Sequence, residues 1–187
     1  MPAFLETARL VLRPFTPDDA DHLHALDNDP DVMRFLNGGR PTSRETVVER
    51  VLPRLLHEHP CLGTRGYWAA EEKGSGAFLG WFEFRPVDER SAAVVELGYR
   101  LVKAAWGRGY ATEGARALID HGFTALPVRR VTANTMAVNR ASRRVMEKSG
   151  LVFVRTYFGD WPEPIPGSEH GEVEYGLTRE EWERRRR

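Results

Sequence analysis

The sequence lacks the features that mark secreted, membrane-bound and nucleic-acid-binding proteins. Its single cysteine, Cys61, excludes an internal disulfide. No run approaches the roughly 18 apolar residues of a membrane-spanning helix, and no charged-then-apolar segment opens the chain. The 27 basic residues are balanced by 27 acidic ones, whereas a general nucleic-acid-binding protein usually carries a basic excess. We therefore expect a cytoplasmic protein without a membrane or nucleic-acid partner.

Metal-ligand spacings are also missing. No cluster of cysteine and histidine indicates a zinc site. Most of the histidines lie in stretches predicted to be helical, without ligand spacing, and receive no role: His22, His24, His57, His59 and His121. The sequence thus predicts no metal.

The chain does hold enough apolar residues for one core. Hydrophobic residues make up 41% of its 187 residues, which suits a single α/β domain over residues 1–187, with a core from about residue 8 to about residue 182. The first half predicts a strand, two helices and three antiparallel strands. The second half alternates strand and helix, which predicts at least one parallel pair joined through a helix. The predicted strands cover residues 10–15, 67–71, 77–84, 93–101, 128–135, 151–158 and 173–177.

The sharpest feature is a glycine loop between a strand and a helix, Trp106-Gly107-Arg108-Gly109-Tyr110-Ala111-Thr112-Glu113. Gly107 and Gly109 can adopt backbone conformations that other residues avoid, and they let a ligand approach the main chain. The following helix, predicted to start near Thr112, has unpaired N–H groups and a positive dipole end. Such a loop suits a phosphate or pyrophosphate, although a simple tight turn has the same pattern.

Two further segments flank this loop in the sequence: Glu96-Leu97-Gly98-Tyr99-Arg100-Leu101 and Asn139-Arg140-Ala141-Ser142-Arg143-Arg144-Val145-Met146-Glu147-Lys148-Ser149-Gly150-Leu151. Together the three segments resemble the GNAT superfamily of N-acetyltransferases, and within it the branch of ribosomal-protein N-terminal acetyltransferases. The similarity runs from about Leu10 to Trp182. It implies an α/β fold with a twisted mixed sheet of about seven strands flanked by helices, in which two splayed parallel strands form a wedge for acetyl-CoA. One departure is Trp106, at a position where the superfamily's loop carries Gln or Arg.

The resemblance implies acetyl-CoA as co-substrate. Its pyrophosphate would bind the backbone N–H groups of the loop: Gly107, Arg108, Gly109, Tyr110, Ala111 and Thr112. Leu101 and Val102, at the end of the preceding strand, would pair their main chain with the pantetheine arm. Asn139 matches a position that hydrogen-bonds the same arm. Asn139 also has a plain structural interpretation as a helix cap, and the two roles are compatible.

For catalysis, the first candidate base is Glu96, acting directly or through a water. It would take a proton from the acceptor ammonium, which has no lone pair for attack. The alternative is a structural glutamate paired with Arg100 or another cation. The oxyanion that forms during transfer would need a donor, for which a backbone N–H near Leu101 or Val102 is the candidate.

The candidate acid for the departing thiolate is Ser142, because the branch resemblance implies a serine near the sulfur. The alternative is a serine that only bonds the backbone in the first turn after Asn139, or one that orients the sulfur. Tyr157 and Tyr175 are reserve acids without a motif.

A later loop is the remaining place to look for a catalytic group. His170 has a side chain suited to proton transfer near neutrality, and with Glu169, Glu172 and Glu174 it could receive a cationic amine. An exposed polar loop without a role is the alternative.

These residues predict acetyl transfer from acetyl-CoA to a primary amine by direct attack in a ternary complex. The acceptor could be a protein or peptide N-terminus, which the branch resemblance favours mildly, or a lysine, an amino acid, a polyamine or an amine antibiotic. A non-catalytic acyl-CoA-binding regulatory module is the alternative from another class. Dimers are common in this family, so a homodimer is a further expectation.

Overall fold

The computed structural model describes residues 2–187. In that part of the chain, the strands are β1 (Leu5–Glu6), β2 (Leu10–Arg13), β3 (Glu58–His59), β4 (Thr64–Arg65), β5 (Tyr67–Glu72), β6 (Phe78–Asp88), β7 (Ser91–Leu101), β8 (Arg130–Met136), β9 (Val152–Tyr157) and β10 (Glu172–Thr178). The α-helices are α1 (Ala20–Asp27), α2 (Pro30–Asn37), α3 (Arg44–Thr46), α4 (Leu52–Leu56), α5 (Tyr110–Ala125), α6 (Arg140–Lys148) and α7 (Arg179–Arg185). Among these described residues, no helix is both long and apolar enough to cross a membrane.

Eight strands form one mixed sheet in the order β1-β2-β5-β6-β7-β8-β10-β9, and β3 and β4 form a separate hairpin. The α/β prediction is confirmed, with one more strand in the sheet than the seven expected. The addition is β1, whose Leu5 lies opposite Leu12. Two residues are too few to show an alternation in the sequence, and only pairing with β2 makes them a strand.

The sheet opens between β7 and β8, its one parallel pair. These strands pair only from Val94–Arg130 to Glu96–Thr132. Beyond that point β7 continues beside β6 as far as Leu101, while β8 continues beside β10 as far as Met136. A gap therefore separates the ends of the two strands, which is the splayed arrangement that the sequence predicted.

Helices cover both faces of the sheet. On one face α5 and α6 enclose the larger apolar cluster, which includes Phe82, Phe84 and Leu118. Helix α5 can lie this close because it carries glycine where it crosses the strands. A Cβ at Gly114 would come within 2.2 Å of the Phe82 ring, and one at Gly122 within 2.5 Å of the Phe84 ring. On the other face α1 and α4 close a smaller cluster.

The predicted second helix contains Pro53, which was expected to kink or split it. The structure keeps the helix continuous but widens it into a π segment, Val47–Val51, between α3 and α4. The N–H of Leu52 bonds to the carbonyl of Val47, five residues back. A proline has no N–H and its ring clashes with the carbonyl four residues earlier, so a wider turn before Pro53 accommodates it.

Candidate active site

The gap between β7 and β8 is lined by the main chain of β7. The N–H of Val102 donates to the Leu79 carbonyl at 2.9 Å, on the β6 side. Because backbone groups alternate along a strand, the N–H of Leu101 points to the opposite side, into the gap. The Val102 carbonyl accepts from the N–H of Ala105 at 2.9 Å. Both polar groups of Val102 are thus engaged within the protein, which leaves Leu101 as the donor facing the gap.

The glycine loop lies just beyond the end of β7. Gly107 and Gly109 have φ of 69° and 83°, the left-handed conformation that the sequence suggested. A Cβ at Gly107 would meet no atom within 4 Å, so this part of the loop faces open space. Helix α5 begins at Tyr110 rather than near Thr112, because left-handed Gly109 caps it. The first N–H groups of α5 therefore have no acceptor in their own helix and suit an anion.

Trp106 stands where the superfamily's loop carries Gln or Arg, and its side chain bonds the end of β7. Its indole Nε1–H donates to the Leu101 carbonyl at 3.0 Å. The side chain is half exposed. Trp106 thereby ties the glycine loop to the end of β7.

A second tie comes from the N-terminal part of the chain. The guanidinium of Arg9 donates from Nη1 to the Arg108 carbonyl at 2.9 Å and from Nε to Glu113 Oε2 at 2.7 Å. The Arg108 side chain reaches Glu72 at 3.5 Å. The role of Arg9 could not be predicted, because it lies 99 residues away from Arg108 in the sequence.

Asn139 and Ser142 lie together at the start of α6. The Asn139 side-chain oxygen accepts from the N–H of Ser142 at 3.3 Å, so Asn139 caps the helix as its plain interpretation required. Its amide nitrogen donates to Thr135 Oγ1 at 3.1 Å, on β8. The cap is thus anchored to a strand that borders the gap.

Ser142 also meets Tyr99, a residue of β7 to which the sequence assigned no role. The Tyr99 hydroxyl donates to the Ser142 carbonyl at 2.9 Å and lies 3.1 Å from Ser142 Oγ. Burial raises the pKa of Tyr99 to about 12. The hydroxyl therefore keeps its proton at neutral pH. Alternation along β7 would have revealed this side chain, because Tyr99 lies on the same face as buried Leu97 and Leu101.

Glu96 occupies the last pair of the parallel ladder, where the gap begins. Its cation partner is Arg85, whose Nη2 lies 3.0 Å from Glu96 Oε2, and not Arg100. Arg100 instead pairs with Asp27 at 2.7 Å. The Glu96 side chain keeps 27% of its surface exposed, so the carboxylate remains accessible.

Arg85 bridges Glu96 to a second carboxylate, Glu83, at 2.5 Å. Glu83 is more deeply buried than Glu96, and the burial together with the charge of Glu96 raises the pKa of Glu83. Tyr67 donates to Glu83 Oε1 at 3.4 Å. No pattern in the sequence pointed to Glu83, since a glutamate between phenylalanines on a strand is an ordinary exposed position.

Tyr157 approaches the same region from β9. Its hydroxyl donates to Asn134 Oδ1 at 3.1 Å. Burial and the negative charges of Glu172 and Glu96 raise the pKa of Tyr157. Burial also raises the pKa of Glu172. Within residues 2–187, no basic side chain lies within 4.0 Å of the Glu172 carboxylate.

The other members of the predicted acidic loop are placed differently. Glu174 is neutralised by Arg155 at 2.7 Å and by Arg130 at 3.3 Å. His170 is 63% exposed, in a short 3₁₀ turn, and its nearest carboxylate is Glu169 at 3.6 Å. The reserve acid Tyr175 is buried, with its hydroxyl on Glu147 of α6 at 3.2 Å. Within the loop, Glu172 raises the pKa of Tyr157 more than Glu174 does, because Glu174 is paired with Arg155 and Arg130.

Comparison with known proteins identifies the family. The model of the acetyltransferase (GNAT) domain matches residues 9–152. The chain belongs to this family. GNAT enzymes use acetyl-CoA to acetylate amines, and this chain is accordingly an acetyl-CoA-dependent N-acetyltransferase. The non-catalytic acyl-CoA-binding module is thereby set aside.

Individual relatives cover nearly the whole GNAT chain. The FsC-acetyl coenzyme A-N(2)-transacetylase of Aspergillus fumigatus is 37% identical over 95% of this chain and 77% of its own length. The putative ribosomal N-acetyltransferase YdaF of Bacillus subtilis is 27% identical, over 93% of each chain. The crystal structure of spermidine N-acetyltransferase from Vibrio cholerae in complex with CoA and spermine covers 94% of this chain and 99% of its own, with a TM-score of 0.76 and 16% identity.

The residues present fit acetyl-CoA as co-substrate. The open side of Gly107, the unpaired N–H groups at the start of α5 and the strand gap together offer an anion cradle beside a slot for an extended arm. The ribosomal branch is represented by YdaF at 27% identity and by the structure of a ribosomal L7/L12 acetyltransferase at 18% identity, which is too low to assign this chain to that branch.

Proposed function

We propose that this GNAT enzyme transfers acetyl directly to a cationic primary amine that enters at Glu96. The observation that carries the proposal is the position of Glu96 at the last paired residue before β7 and β8 separate. An acetyl group held at Leu101 would lie five residues further along β7, about 16 Å at 3.3 Å per residue, so Glu96 would act through bridging water. A carboxylate there can receive the proton that the ammonium must lose before attack.

The donor side of the proposal uses the main chain. The loop N–H groups from Gly107 to Thr112 hold the pyrophosphate. The Leu101 carbonyl, which can accept a second hydrogen bond beside that from Trp106, pairs with the pantetheine arm. We assign Asn139 a hydrogen bond to the same arm, in addition to the helix cap that it forms on α6. The N–H of Leu101, rather than that of Val102, stabilises negative charge on the acetyl oxygen during transfer, because the N–H of Val102 is already bonded to Leu79.

The acceptor side uses several carboxylates. Arg85, 3.0 Å from Glu96 Oε2, holds that carboxylate in place at the entry. Glu83 and Glu172 add negative charge around the entry, and a cationic amine compensates it. Direct attack passes through no covalent enzyme intermediate, and none of the roles assigned to these residues requires one.

Ser142 and Tyr99 serve the departing sulfur. We assign Tyr99 as the positioning residue, because its hydroxyl lies 3.1 Å from Ser142 Oγ and stays protonated at neutral pH. Ser142 presents the hydroxyl that hydrogen-bonds or protonates the thiolate. Tyr157 is the alternative acid, on strand β9.

For the acceptor we propose a small-molecule amine first and a protein or peptide N-terminus second. The relative with the higher identity, 37%, is named as an N(2)-transacetylase. The relative named as a putative ribosomal N-acetyltransferase has a lower identity, 27%. The carboxylates at the entry suit a cation of either kind. Thiol release measured with small amines and with N-terminal peptides separates the two.

The decisive test of the base is Glu96→Gln. We expect kcat/KM to fall about 100-fold or more and the rising limb of its pH profile to flatten, since the amide cannot accept the proton. The matched control is Glu180→Gln on exposed α7, which should behave like the wild type. An unchanged pH profile in Glu96→Gln removes Glu96 as base, and failure of acetyl-CoA to raise the melting temperature removes the cofactor assignment.

Two further assignments of the sequence stay proposals. A homodimer is expected by family resemblance, and light scattering on the purified enzyme measures it directly. A cytoplasmic location is the other proposal, and fractionation of the source cells tests it.

A further inference from the structure

A cluster of metal-ligating side chains lies on the β3–β4 hairpin and the turn between β6 and β7. His59 Nδ1 is 3.0 Å from Glu89 Oε2, and His57 Nε2 is 3.7 Å from the same oxygen. The three ligand atoms all lie within 4.8 Å of one another. Two imidazole nitrogens thus converge on one carboxylate oxygen.

The histidines share a side because the backbone there is extended. The sequence predicted a helix, in which residues two apart diverge. Instead α4 ends at Leu56, and His57 has φ of −63° and ψ of 136° before strand β3. In an extended chain, residues two apart point the same way, so His57 and His59 face Glu89 together.

His59 is held with one nitrogen available. Its side chain is 4% exposed, and its Nε2 is buried without a hydrogen-bond partner. A Cβ at Gly66 would come within 2.6 Å of that Nε2, so the glycine lets the ring lie flush against the chain. Only Nδ1 faces the cluster, while His57 and Glu89 are more than half exposed and can adjust around it.

The chemistry of the three ligands indicates which metal binds. Two imidazoles and a carboxylate form a three-ligand zinc site that leaves a fourth position for water. At zinc bond lengths, tetrahedral ligand atoms lie about 3.4 Å apart, and the two contacts to Glu89 Oε2 bracket that spacing. Mg²⁺ prefers all-oxygen octahedral sites and fits poorly.

We propose that His57, His59 and Glu89 form a binding site for Zn²⁺ or a related divalent transition metal. The metal joins the β3–β4 hairpin to the β6–β7 turn, 30 residues further along the chain. The acetyl transfer of GNAT enzymes needs no metal, so the site is structural and its occupancy is read out by stability. Acetyl-CoA binding and the role of Glu96 as base are tested separately from this metal site.

The test uses the full chain, with any affinity tag removed because tags bind zinc. Calorimetric titration with Zn²⁺ at neutral pH should give one site per chain and a higher melting temperature, and Co²⁺ should show the visible spectrum of four-coordinate cobalt. His57→Ala and Glu89→Gln, both at exposed positions, should each weaken Zn²⁺ at least about tenfold. His24→Ala, outside the cluster, should bind like the wild type.

Three results overturn the proposal: no stoichiometric Zn²⁺ binding by the wild type, unchanged affinity in both cluster variants, or an equal thermal shift with Mg²⁺. Because His57 and Glu89 are exposed, their variants should fold, and circular dichroism of the metal-free proteins checks that they do.

Discussion

At the scale of single residues, Tyr99 links the two halves of the site. Its hydroxyl contacts both the backbone and the side chain of Ser142, so strand β7 holds the first turn of α6. Because burial places the pKa of Tyr99 at about 12, the hydroxyl is a donor over the whole working range of pH. Ser142 is therefore oriented by a partner that does not change its protonation state.

Tyr99→Phe should remove that donor. We expect kcat to fall about tenfold and unfolding to become easier by about 1 kcal/mol, because one partly buried hydrogen bond is lost. Ser142→Ala should lower kcat by a similar factor. The double variant should lower kcat no further, because both side chains act through one contact. Tyr175→Phe is the control: its hydroxyl bonds Glu147 on the same helix, so stability falls without the loss in kcat. Equal kcat in Tyr99→Phe and wild type contradicts the positioning role.

Glu83 is the residue whose titration is coupled to folding. Burial, with the neighbouring charge of Glu96, raises its pKa in the folded state. A carboxyl whose pKa is raised by folding stabilises the folded state at pH values below its ordinary pKa. This stabilisation is lost as the pH rises through the raised pKa. Ionised Glu83 therefore destabilises the fold at neutral pH.

Glu83→Gln should melt at a higher temperature than the wild type at pH 7, because the amide carries no charge to bury. The difference should shrink as the pH falls towards 4, where Glu83 is protonated in both folded and unfolded chains. Melting curves of both proteins across this range measure it. A difference that does not vary with pH rules out the ionisation of Glu83 as the cause.

At the scale of elements, the loop before α5 combines strain with function. Gly107 has φ of 69° and open space on the side where a Cβ would stand. An L-residue is strained in this conformation by roughly 1–2 kcal/mol. The same loop is fixed at its ends by Trp106 on Leu101 and by Arg9 on Arg108. The loop is thus held in a shape that leaves its N–H groups free for a ligand.

Gly107→Ala should raise the KM for acetyl-CoA roughly tenfold, equivalent to about 1.4 kcal/mol of binding, with little change in kcat. Gly74→Ala is a matched control, because Gly74 has φ of 88°, an equally open surrounding and a place in the distant β5–β6 turn. Both variants should lose similar stability, but only Gly107→Ala should lose affinity. Equal KM values in the two variants would contradict the phosphate cradle.

At the scale of the whole molecule, one sheet carries two apolar clusters and a polar gap. The helices of the smaller cluster are joined to β7 by the Asp27–Arg100 pair, whose Asp27 side chain is 3% exposed. The Arg100 guanidinium also lies 4.9 Å from the centre of the Trp81 ring. Because both clusters share this sheet, we predict that residues 1–187 unfold as one domain in a single transition.

Asp27→Asn should destabilise the protein by about 3 kcal/mol, because the buried charge of Arg100 is left without a counterion. Asp21→Asn should leave the melting temperature almost unchanged, since the Asp21–Arg44 pair is exposed. Replacing both partners, as Asp27→Leu with Arg100→Met, should recover much of the loss. Denaturant unfolding measures all three, and a small effect of Asp27→Asn would show that Arg100 is solvated.

Local chemistry alone allowed a large part of this structure to be predicted. The left-handed glycines, the helix cap at Asn139 and the alternation of strands and helices depend on a few neighbouring residues, and each was found where the sequence placed it. The glycine loop between strand and helix has its predicted shape for the same reason. Acetyl-CoA was implied by the resemblance of three linked segments to GNAT enzymes rather than by local chemistry.

Tertiary structure decided everything that depends on distant partners. Arg85 rather than Arg100 pairs with Glu96, and Tyr99 reaches Ser142. The backbone N–H and carbonyl of Val102 are both hydrogen-bonded within the protein. Each of these contacts depends on which strands lie side by side. Extended backbone rather than helix brought His57 and His59 to Glu89. A sequence specifies its own turns and faces through neighbouring residues, whereas a site built from several strands exists only once burial of the apolar clusters has brought those strands together.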